Sequence, residues 1–330
     1  MKNAIFLMNP GRFADVYGEL EQAAFAKRLN IVGGPLNDTI QLANYAYAKD
    51  IEIVLGGWGI PRLDAAFFEI CPAVRLVLYA AGAVNRFMTA DVWARNISVC
   101  TANSANGVAV AEYTIAQVYM CLKRIYQYAS RVRTGHNHNH DLPVAGGLGS
   151  TLGLVSLGAI GRLVIERLRI SDLQIVAFDP FVSKLEAQAL GVQLCSLEEV
   201  FAISDVVSCH APWLPETEGL LTASHFGTMK KNASFINTAR GAIVRESELI
   251  AVLQSRPDLF AILDVTWPEP PHADSPLYTL PNVLLTPHIA GTMGAECRRM
   301  SQLILAELDR YLAGEPLRHL VTREYARAYV

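Results

Sequence analysis

The sequence predicts an α/β fold of two domains, each with a doubly wound parallel sheet. Short apolar runs alternate with amphipathic stretches, which is typical of βαβ units. Glycines crowd residues 146–149 and separate a first series of such units from a second. A length of 330 residues fits two domains at roughly 100–200 residues each. With 52% hydrophobic residues, the chain can fill two large cores.

In the first series, strands and helices alternate up to one long helix. The expected elements, in chain order, are a strand at 4–8, a helix at 17–29, a strand at 51–55, a helix at 62–70 and a strand at 74–79. The long helix is expected over 105–130, because apolar residues recur there at helical spacing and basic residues gather toward its carboxyl end.

The second series contains near-continuous apolar runs, which indicate a sheet buried on both faces. The six expected strands are 152–156, 174–178, 206–209, 233–237, 260–263 and 283–286. A final helix, 295–312, follows the last strand, and we expect it to return to the first domain. The first domain is therefore predicted to be discontinuous, at 1–101 and 295–330, and the second to span 102–294.

Charge and composition exclude several classes of protein. Lys and Arg number 28 against 31 Asp and Glu, a net charge of -3, so nucleic acid is not an expected partner. The apolar run at 4–8 is too short for a secretory signal. The uncharged stretches 142–161 and 275–295 contain glycines or prolines that favour strands and turns over membrane helices. Six scattered cysteines fit a reducing compartment, and we expect a cytoplasmic protein without a membrane partner.

A glycine motif follows the strand 152–156 and opens a helix. Its residues are Ser156, Leu157, Gly158, Ala159, Ile160 and Gly161. Gly158 would let the backbone approach a pyrophosphate, and Gly161 would let helix and strand pack closely. Ser156 stands where such motifs have their first glycine and is strained if that position needs a positive φ. The pattern predicts a Rossmann-like dinucleotide-binding domain.

Asp179 strengthens this interpretation, because it lies 21 residues after Gly158 at the end of the next strand. A carboxylate there can accept hydrogen bonds from both ribose hydroxyls and would repel a 2′-phosphate. No arginine occurs in 180–185, so NAD is expected rather than NADP. The alternative is an ordinary βα turn with a solvated aspartate.

Three charged residues each lie just past the carboxyl end of a predicted strand, the edge where open α/β sheets bind ligands. They are Arg240, Glu269 and His288. Together they offer a forked cation for a carboxylate, an acid and a proton carrier. Taken singly, an arginine such as Arg240 is more often solvated, an acid such as Glu269 more often lies on the surface, and a histidine such as His288 more often sits satisfied at a strand end.

The motifs together resemble those of the D-isomer-specific 2-hydroxyacid dehydrogenase family over about residues 45–320. They are SxGxxG at 156–161, Asp179, His-Ala-Pro at 210–212 with Pro-Glu-Thr at 215–217, NTARG at 237–241, DVxxxEP at 264–270 and TPHIAG at 286–291. The segment 106–112 also resembles that family's entry into the long helix between its domains.

The resemblance implies an NAD-dependent oxidoreductase that interconverts a D-2-hydroxy acid and its 2-keto acid in a cleft between two Rossmann-like domains. Arg240 would bind the substrate's carboxylate and carbonyl oxygens. His288 would exchange a proton with the C2 oxygen, while Glu269 hydrogen-bonds His288 and favours its protonated form. The nicotinamide would carry the hydride, with its carboxamide meeting Asp264. The family is also expected to form homodimers through the cofactor domain.

The same resemblance assigns further residues to the two ligands. The remaining expected cofactor residues are His210, Ala211, Pro212, Thr217, Thr238, Ala239 and Gly291. The expected substrate residues, besides Arg240, are Gly56, Gly57, Trp58, Ala81 and Gly82, chiefly through backbone N–H groups. The chain departs from the family here, where polar residues near 55–58 and a Gly-x-Asp-Asn pattern after Gly82 are usual; it has Leu55, Trp58, Asn85 and Arg86. Trp58 and Trp267 could line a bulky or aromatic pocket or pack as core residues.

Other functions remain open at this stage. A non-enzymatic NAD-sensing protein of the corepressor type would have the same architecture and the same three charged residues. Formate dehydrogenase is less favoured. That subgroup pairs its histidine with a glutamine, whereas this chain has the ionisable Glu269 at that position. A regulated phosphoglycerate-type dehydrogenase is a third possibility; it is disfavoured because the chain stops soon after Leu312 and shows no basic cluster near Gly56.

One tract suggests a metal site. His136, His138 and His140 alternate, which on a strand would place three imidazoles on one face. Their neighbours are typical of a solvated loop, and no fourth ligand is evident. We therefore expect no metal.

Overall fold

The computed structural model describes residues 1–135 and 138–328, and these divide into two compact units. The first unit comprises 1–106 and 292–330, and the second comprises 107–291. The predicted boundaries were 101/102 and 294/295, a few residues from those that the structure shows.

Among the described residues of the first unit, five parallel strands form a sheet in the order β2-β1-β3-β4-β5. The strands are β1 (Asn3–Leu7), β2 (Asn30–Leu36), β3 (Ile53–Gly56), β4 (Leu76–Tyr79) and β5 (Ser98–Thr101). The helices are α1 (Phe13–Val16), α2 (Glu19–Ala26), α3 (Thr39–Ala43), α4 (Ala65–Ile70) and α5 (Ala90–Ala94). The inner strands β1, β3 and β4 are almost entirely buried, which explains their continuous apolar runs.

In the described part of the second unit, seven parallel strands form a sheet in the order β12-β11-β10-β9-β6-β7-β8. The strands are β6 (Thr151–Val155), β7 (Gln174–Phe178), β8 (Gln193–Leu194), β9 (Val206–Cys209), β10 (Ser234–Asn237), β11 (Phe260–Leu263) and β12 (Val283–Leu285). The helices are α6 (Asn103–Leu122), which begins in the first unit, α7 (Ile125–Gly135), α8 (Ala159–Leu168), α9 (Lys184–Ala189), α10 (Leu197–Ile203), α11 (Ala223–Thr228) and α12 (Glu246–Ser255).

The strand order reverses between β6 and β9, so the carboxyl ends of the strands on both sides open a crevice at this edge. Residues that follow β6, β7, β9, β10, β11 and β12 therefore converge on one edge of one sheet. The prediction of two α/β domains with doubly wound parallel sheets is confirmed.

The long helix predicted over 105–130 is not continuous. It divides into α6 and α7 because Arg124 has φ +53°, a left-handed conformation that a helix cannot contain. Arg124 is buried, and its Nη1 donates a hydrogen bond to Asn232 Oδ1 at 2.9 Å. This hydrogen bond stabilises the turn at Arg124. It joins residues far apart in sequence, so helical periodicity could not predict the break.

The final helices are α13 (Arg298–Ala313) and α14 (Arg323–Ala328). A short 3₁₀ turn, Gly294–Cys297, precedes α13, so the helix begins later than predicted. Met300, Ile304 and Leu308 recur at helical spacing and are fully buried in a first-unit core with β1 and β4 residues. Across residues 1–135 and 138–328, no helix is long and apolar enough to cross a membrane.

Candidate active site

Arg240, Glu269 and His288 follow three neighbouring strands, β10, β11 and β12. Because these strands are parallel and adjacent, their carboxyl ends lie at one edge of the sheet. The structure brings two of the three side chains into contact. His288 Nδ1 lies 2.6 Å from Glu269 Oε1, and the side chains are 46% and 40% exposed. Both groups are therefore paired and accessible to a ligand.

Asp264 holds the loop that presents His288. Its Oδ1 accepts hydrogen bonds from Thr286 Oγ1 at 2.6 Å and from the Ile289 N–H at 2.8 Å. Its Oδ2 accepts one from the Ala290 N–H at 2.8 Å. His288 itself has φ +56° and donates its N–H to the Asp264 carbonyl oxygen at 3.0 Å. A strained backbone at His288 is thus fixed by a carboxylate that is almost fully buried.

This bracing role was not predicted, since Asp264 was assigned only to the nicotinamide carboxamide. The signal available in the sequence was an acidic residue directly after an apolar strand, where burial requires hydrogen-bond partners. Tyr113 extends the same network, with its hydroxyl 3.2 Å from Thr286 Oγ1. Burial raises the pKa of Tyr113, so this hydroxyl stays protonated at neutral pH.

Arg240 is half-buried, and Asn237 shapes its loop. Asn237 Nδ2 donates to the Arg240 carbonyl oxygen at 3.1 Å, and Asn237 Oδ1 accepts from the Ala239 N–H at 3.0 Å. The Arg240 guanidinium donates from Nη1 to the Ala239 carbonyl oxygen at 2.7 Å. Thr238 is buried, with its hydroxyl 3.5 Å from that of Thr114. The predicted site included Thr238, Ala239 and Arg240 but missed the buried Asn237 that fixes their backbone.

The predicted glycine motif joins β6 to α8. Ser156 has φ +81°, the conformation that favours glycine. Gly158 is exposed, and an added Cβ would meet only Ser156 Oγ, at 3.9 Å. At Gly161 a Cβ would lie 2.6 Å from the Ser156 carbonyl oxygen, so no side chain fits there. Ala159 and Ile160 form the first turn of α8, whose free N–H groups point to the same edge.

Asp179 directly follows β7, next to this motif. Its Oδ2 accepts a hydrogen bond from the Leu157 N–H at 2.7 Å and lies 3.4 Å from Ser156 Oγ. Its Oδ1 accepts one from the Phe181 N–H at 2.9 Å. The carboxylate is half-buried, so its position is set by the backbone while part of it remains accessible.

His210 follows β9 and is buried. Its Nε2 lies 3.1 Å from Ser208 Oγ, whereas Nδ1 has no hydrogen-bond partner within residues 1–135 and 138–328. Burial lowers the pKa of His210 to about 4, so the ring is neutral at pH 7. Ala211 is also buried. Thr217 closes the loop by donating from Oγ1 to the Pro212 carbonyl oxygen at 2.5 Å.

These features fit a dinucleotide. An exposed glycine at a helix amino end can receive a pyrophosphate, and Asp179 can accept ribose hydroxyls. The unpartnered Nδ1 of His210 marks a buried polar group on the same edge that lacks a partner in the chain. Gly291 follows the loop that Asp264 fixes and is half-buried.

The predicted substrate residues of the first unit lie at the end of β3 and just after β3 and β4. Gly56, Gly57 and Ala81 are buried, and Gly82 is half-buried. The Gly57 N–H donates to the Leu7 carbonyl oxygen at 3.3 Å, within the unit. Trp58 packs partly against both first-unit cores, and the Arg12 guanidinium lies 5.1 Å from the centroid of its ring.

A cavity of about 730 Å³ lies beside the Glu269–His288 pair within the second unit. Asp264, Thr266, Glu269 and His288 line it on one side, and its remaining lining is mostly apolar. Trp267 is not part of this lining; its ring contacts Trp213, with centroids 4.8 Å apart.

The histidine tract lies only partly within the described residues. His138 and His140 are exposed, and His136 lies outside the described residues. In the part of the chain that the structure describes, no group of three His, Cys, Asp or Glu side chains could hold a metal ion.

Comparison with known proteins decides the family. The model of the D-isomer specific 2-hydroxyacid dehydrogenase NAD-binding domain matches residues 115–290. The chain belongs to this family. Its second unit is the family's NAD-binding domain, and NAD(H) is its cofactor.

The chain is similar to proteins named D-3-phosphoglycerate dehydrogenase, among them those of Archaeoglobus fulgidus and Mycobacterium bovis. The chain is 31% identical over 260 residues to the one from Archaeoglobus fulgidus, covering 79% of the chain and 49% of the relative. It is 32% identical over 254 residues to the one from Mycobacterium bovis, covering 77% and 48%. The chain therefore spans about half the length of these curated relatives.

Solved structures of the family have the same fold. The D-isomer specific 2-hydroxyacid dehydrogenase of Lactobacillus delbrueckii ssp. bulgaricus, in its NAD-complexed form, has a TM-score of 0.82 at 23% identity, covering 97% of this chain and all (100%) of the other. A phosphoglycerate oxidoreductase from Rhizobium etli has a TM-score of 0.81 at 23% identity, covering 98% and 99%.

Proposed function

We propose that the protein is an NAD-dependent oxidoreductase that interconverts a D-2-hydroxy acid and its 2-keto acid. The observation that carries the proposal is the 2.6 Å contact between His288 Nδ1 and Glu269 Oε1. The two residues follow β11 and β12 at the carboxyl edge of the sheet of an NAD-binding domain. Arg240 follows the neighbouring strand β10. An accessible acid–base pair beside a cofactor site is what proton-coupled hydride transfer requires.

Each side chain has a distinct part in this proposal. Arg240 binds the substrate carboxylate through the fork of its guanidinium and holds the C2 carbonyl oxygen. Because Nδ1 of His288 faces Glu269, Nε2 is the ring nitrogen that gives a proton to the C2 oxygen during reduction and takes it back during oxidation. Glu269 holds the ring in this orientation and balances the imidazolium charge. The bound nicotinamide supplies or accepts the hydride.

The cofactor is proposed to lie along the edge formed by the loops after β6, β7 and β9. The exposed Gly158 and the amino end of α8 would receive the pyrophosphate. Asp179 would accept the ribose hydroxyls and would repel a 2′-phosphate, which favours NAD over NADP. His210, Ala211, Pro212 and Thr217 follow β9 and would face the nicotinamide half, as would Thr238, Ala239, Asp264 and Gly291.

The substrate is proposed to be a small-molecule 2-hydroxy or 2-keto acid of a size still to be determined. The first-unit residues proposed to bind it are Gly56, Gly57, Trp58, Ala81 and Gly82. The names of the relatives raise phosphoglycerate as one candidate. A corepressor-type NAD sensor is not favoured, because the family match and its dehydrogenase relatives indicate an enzyme.

We also propose a homodimer. Several apolar side chains on α6 and α7 are exposed, namely Tyr119, Met120, Ile125 and Val132. Exposed apolar side chains on two consecutive helices favour burial against a second copy. Sedimentation that shows only a species of 36.1 kDa at micromolar concentration would contradict it.

The function is tested by following NADH absorbance with a panel of 2-keto acids of graded size, and NADPH in parallel. Turnover of at least one keto acid that yields the D-hydroxy acid, with NADH preferred, supports the proposal. Tight NADH binding without turnover across the panel would contradict it and favour the sensor.

A further inference from the structure

The stretch from Trp267 to Pro271, called the Glu269 segment below, contains few backbone hydrogen-bond donors. Three of its five residues are prolines, at 268, 270 and 271. Proline has no N–H, so only the N–H groups of Trp267 and Glu269 can donate. The segment belongs to neither a helix nor a strand. Its position therefore depends on a small number of contacts with other parts of the chain.

One of these two donors is used by Glu246. The Trp267 N–H donates to Glu246 Oε2 at 3.1 Å. Glu246 is the first residue of α12 and is half-buried. A hydrogen bond to a carboxylate is about twice as strong as one between neutral groups, and partial exclusion of water strengthens it further. Glu246 therefore holds the backbone two residues before Glu269.

Neutral contacts also support the Glu269 segment. Thr266 donates from Oγ1 to the Pro268 carbonyl oxygen at 2.9 Å. Tyr278 donates from its hydroxyl to the Pro271 carbonyl oxygen at 3.3 Å. Neither of these contacts involves a charged group, whereas the contact with Glu246 does.

The chain that follows Arg240 supports the Glu269 segment at a second point. Arg240 leads into a 3₁₀ turn, Gly241–Ile243, which precedes α12. Gly241 packs so closely on the carbonyl group of Thr266 that a Cβ at this position would clash with it. Gly241 thus contacts the residue just before the segment, and Glu246 holds its first N–H group.

The geometry of the acid–base pair depends on where the Glu269 segment lies. Glu269 Oε1 is 2.6 Å from His288 Nδ1. The loop of His288 is held by Asp264, whereas Glu269 depends on its own segment. A shift of the backbone at Trp267 would therefore move the carboxylate away from the imidazole. Misplacement of a catalytic group by about 1 Å can lower a rate by about 10²-fold.

Building on the proposed function, we propose that Glu246 is a positioning residue for the acid–base pair. It holds the Trp267 N–H and so sets the position of Glu269 relative to His288. Glu246 acts through Glu269 and takes no part in binding the substrate or the cofactor.

Glu246→Ala removes the hydrogen bond to the Trp267 N–H. With a keto acid that the wild-type protein turns over, kcat should fall by about 10-fold or more, because Glu269 no longer orients His288. KM for the keto acid should change less, because Asn237 fixes the backbone of Arg240 separately. Glu246→Gln should retain most of kcat, since its amide oxygen can accept the same hydrogen bond.

Glu248→Ala is the matched control. Glu248 also lies in the first turn of α12, and its Oε2 accepts a hydrogen bond from the Ala223 N–H at 2.6 Å. This variant loses a contact of the same kind, made to the start of α11 instead of to the Glu269 segment, so kcat should stay near the wild-type value. Thermal unfolding of each variant establishes that the fold is intact.

A double-mutant cycle separates positioning from a general structural effect. In a chain that already carries Glu269→Ala, adding Glu246→Ala should lower kcat by no more than about 2-fold, because the group that Glu246 positions is already absent. Independent effects would instead multiply, and the double variant would show the full loss of both single variants.

The possible results are distinct. An unchanged kcat in folded Glu246→Ala, an equal loss in folded Glu248→Ala, no recovery in Glu246→Gln, or full multiplication of the losses in the double variant overturns the positioning role. Each of these leaves the proposed function standing. Absence of turnover with every keto acid of the graded panel overturns the proposed function and the positioning role together.

Discussion

His288 Nδ1 lies 2.6 Å from Glu269 Oε1, although the two residues follow different strands, β12 and β11. The contact exists because the buried Asp264 fixes the His288 loop from below through three hydrogen bonds to Thr286, Ile289 and Ala290. The Asp264 carboxylate therefore fixes the loop, and the Glu269 carboxylate orients the imidazole ring of His288. Nε2 of His288 is left for chemistry.

Replacing His288 by Asn should lower kcat for any confirmed keto acid by about 10²–10⁴-fold, the usual contribution of a positioned acid–base group. Glu269→Gln should cause a smaller loss, since the imidazole remains but lacks a charge partner. Steady-state kinetics measure both, and NADH fluorescence titration should show unchanged cofactor affinity. His138→Asn, at an exposed histidine, is the control. Near-wild-type turnover of His288→Asn would show that His288 is not the proton carrier.

Arg240→Lys should weaken substrate recognition, because an ammonium cannot bind a carboxylate through two parallel N–H donors. Hydrogen bonds to charged groups contribute roughly 1.5–3 kcal/mol, so kcat/KM should fall by about 10–150-fold. Arg169→Lys, on the exposed end of α8, serves as the control. If the keto acid KM and kcat of Arg240→Lys match the wild-type values, another residue anchors the carboxylate.

Asp179→Asn should weaken NADH binding and reduce the preference of the protein for NADH over NADPH. The amide oxygen can still accept a hydrogen bond from the Leu157 or Phe181 N–H, so the local backbone should persist. Loss of the negative charge removes both a strong acceptor for the ribose and the repulsion of a 2′-phosphate. Fluorescence titration should show an NADH Kd about 10-fold higher. An unchanged ratio of NADH to NADPH affinity, with Asp172→Asn as control, would contradict the assignment.

Much of the fold could be predicted from apolar runs, because strands buried on both faces leave a continuous hydrophobic signature. The strands 174–178, 206–209 and 260–263 have the predicted bounds. Three strands were missed, and of these β5 is largely buried but only four residues long. The other two lack a continuous apolar run. β2 is a partly exposed edge strand that contains Gly33, Gly34 and Pro35, and β8 has only two residues.

The site was less predictable, because its supports are contacts between segments distant in sequence. Arg240, Glu269 and His288 could be proposed from their positions after strands. The roles of Asn237 and Asp264 depend on which N–H groups they receive, and that is set by the tertiary structure. Trp267 was considered together with Trp58, whereas its ring contacts Trp213 in the loop after β9, a tertiary contact that residue type alone does not reveal.

The glycine motif yields a stability prediction. Ser156→Gly should raise the free energy of unfolding by about 1 kcal/mol, because glycine adopts φ +81° without steric cost. Gly161→Ala should lower it, since the new Cβ would lie 2.6 Å from the Ser156 carbonyl oxygen. Thermal unfolding checks both. Gly227→Ala is the control, because a Cβ there meets nothing within 4 Å. A lower melting temperature for Ser156→Gly would mean that its hydroxyl stabilises the turn by more than the strain costs.

The buried His210 predicts a loss of stability in mild acid. Burial lowers its pKa from 6.5 to about 4 in the folded chain. Below about pH 6.5 the unfolded chain therefore binds a proton at His210 that the folded chain does not yet bind, so its contribution to stability is complete above pH 6.5 and is lost as the pH falls toward 4. One pKa unit corresponds to about 1.4 kcal/mol, so the loss between pH 7.5 and pH 4.5 should be about 2–3 kcal/mol.

His210→Gln isolates this contribution, because glutamine has no proton to gain and every other titrating group is common to both proteins. Urea unfolding at pH 7.5 and pH 4.5 should show a steeper decline in the free energy of unfolding for the wild-type chain than for the variant. If the free energy of unfolding declines equally in the wild-type chain and the variant, the His210 ring is in contact with water and its neutral form is not favoured in the folded chain. The unpartnered Nδ1 gives a second measurement on the same variant: if this atom meets the cofactor, His210→Gln should also raise the NADH Kd at pH 7.5, where the ring is neutral.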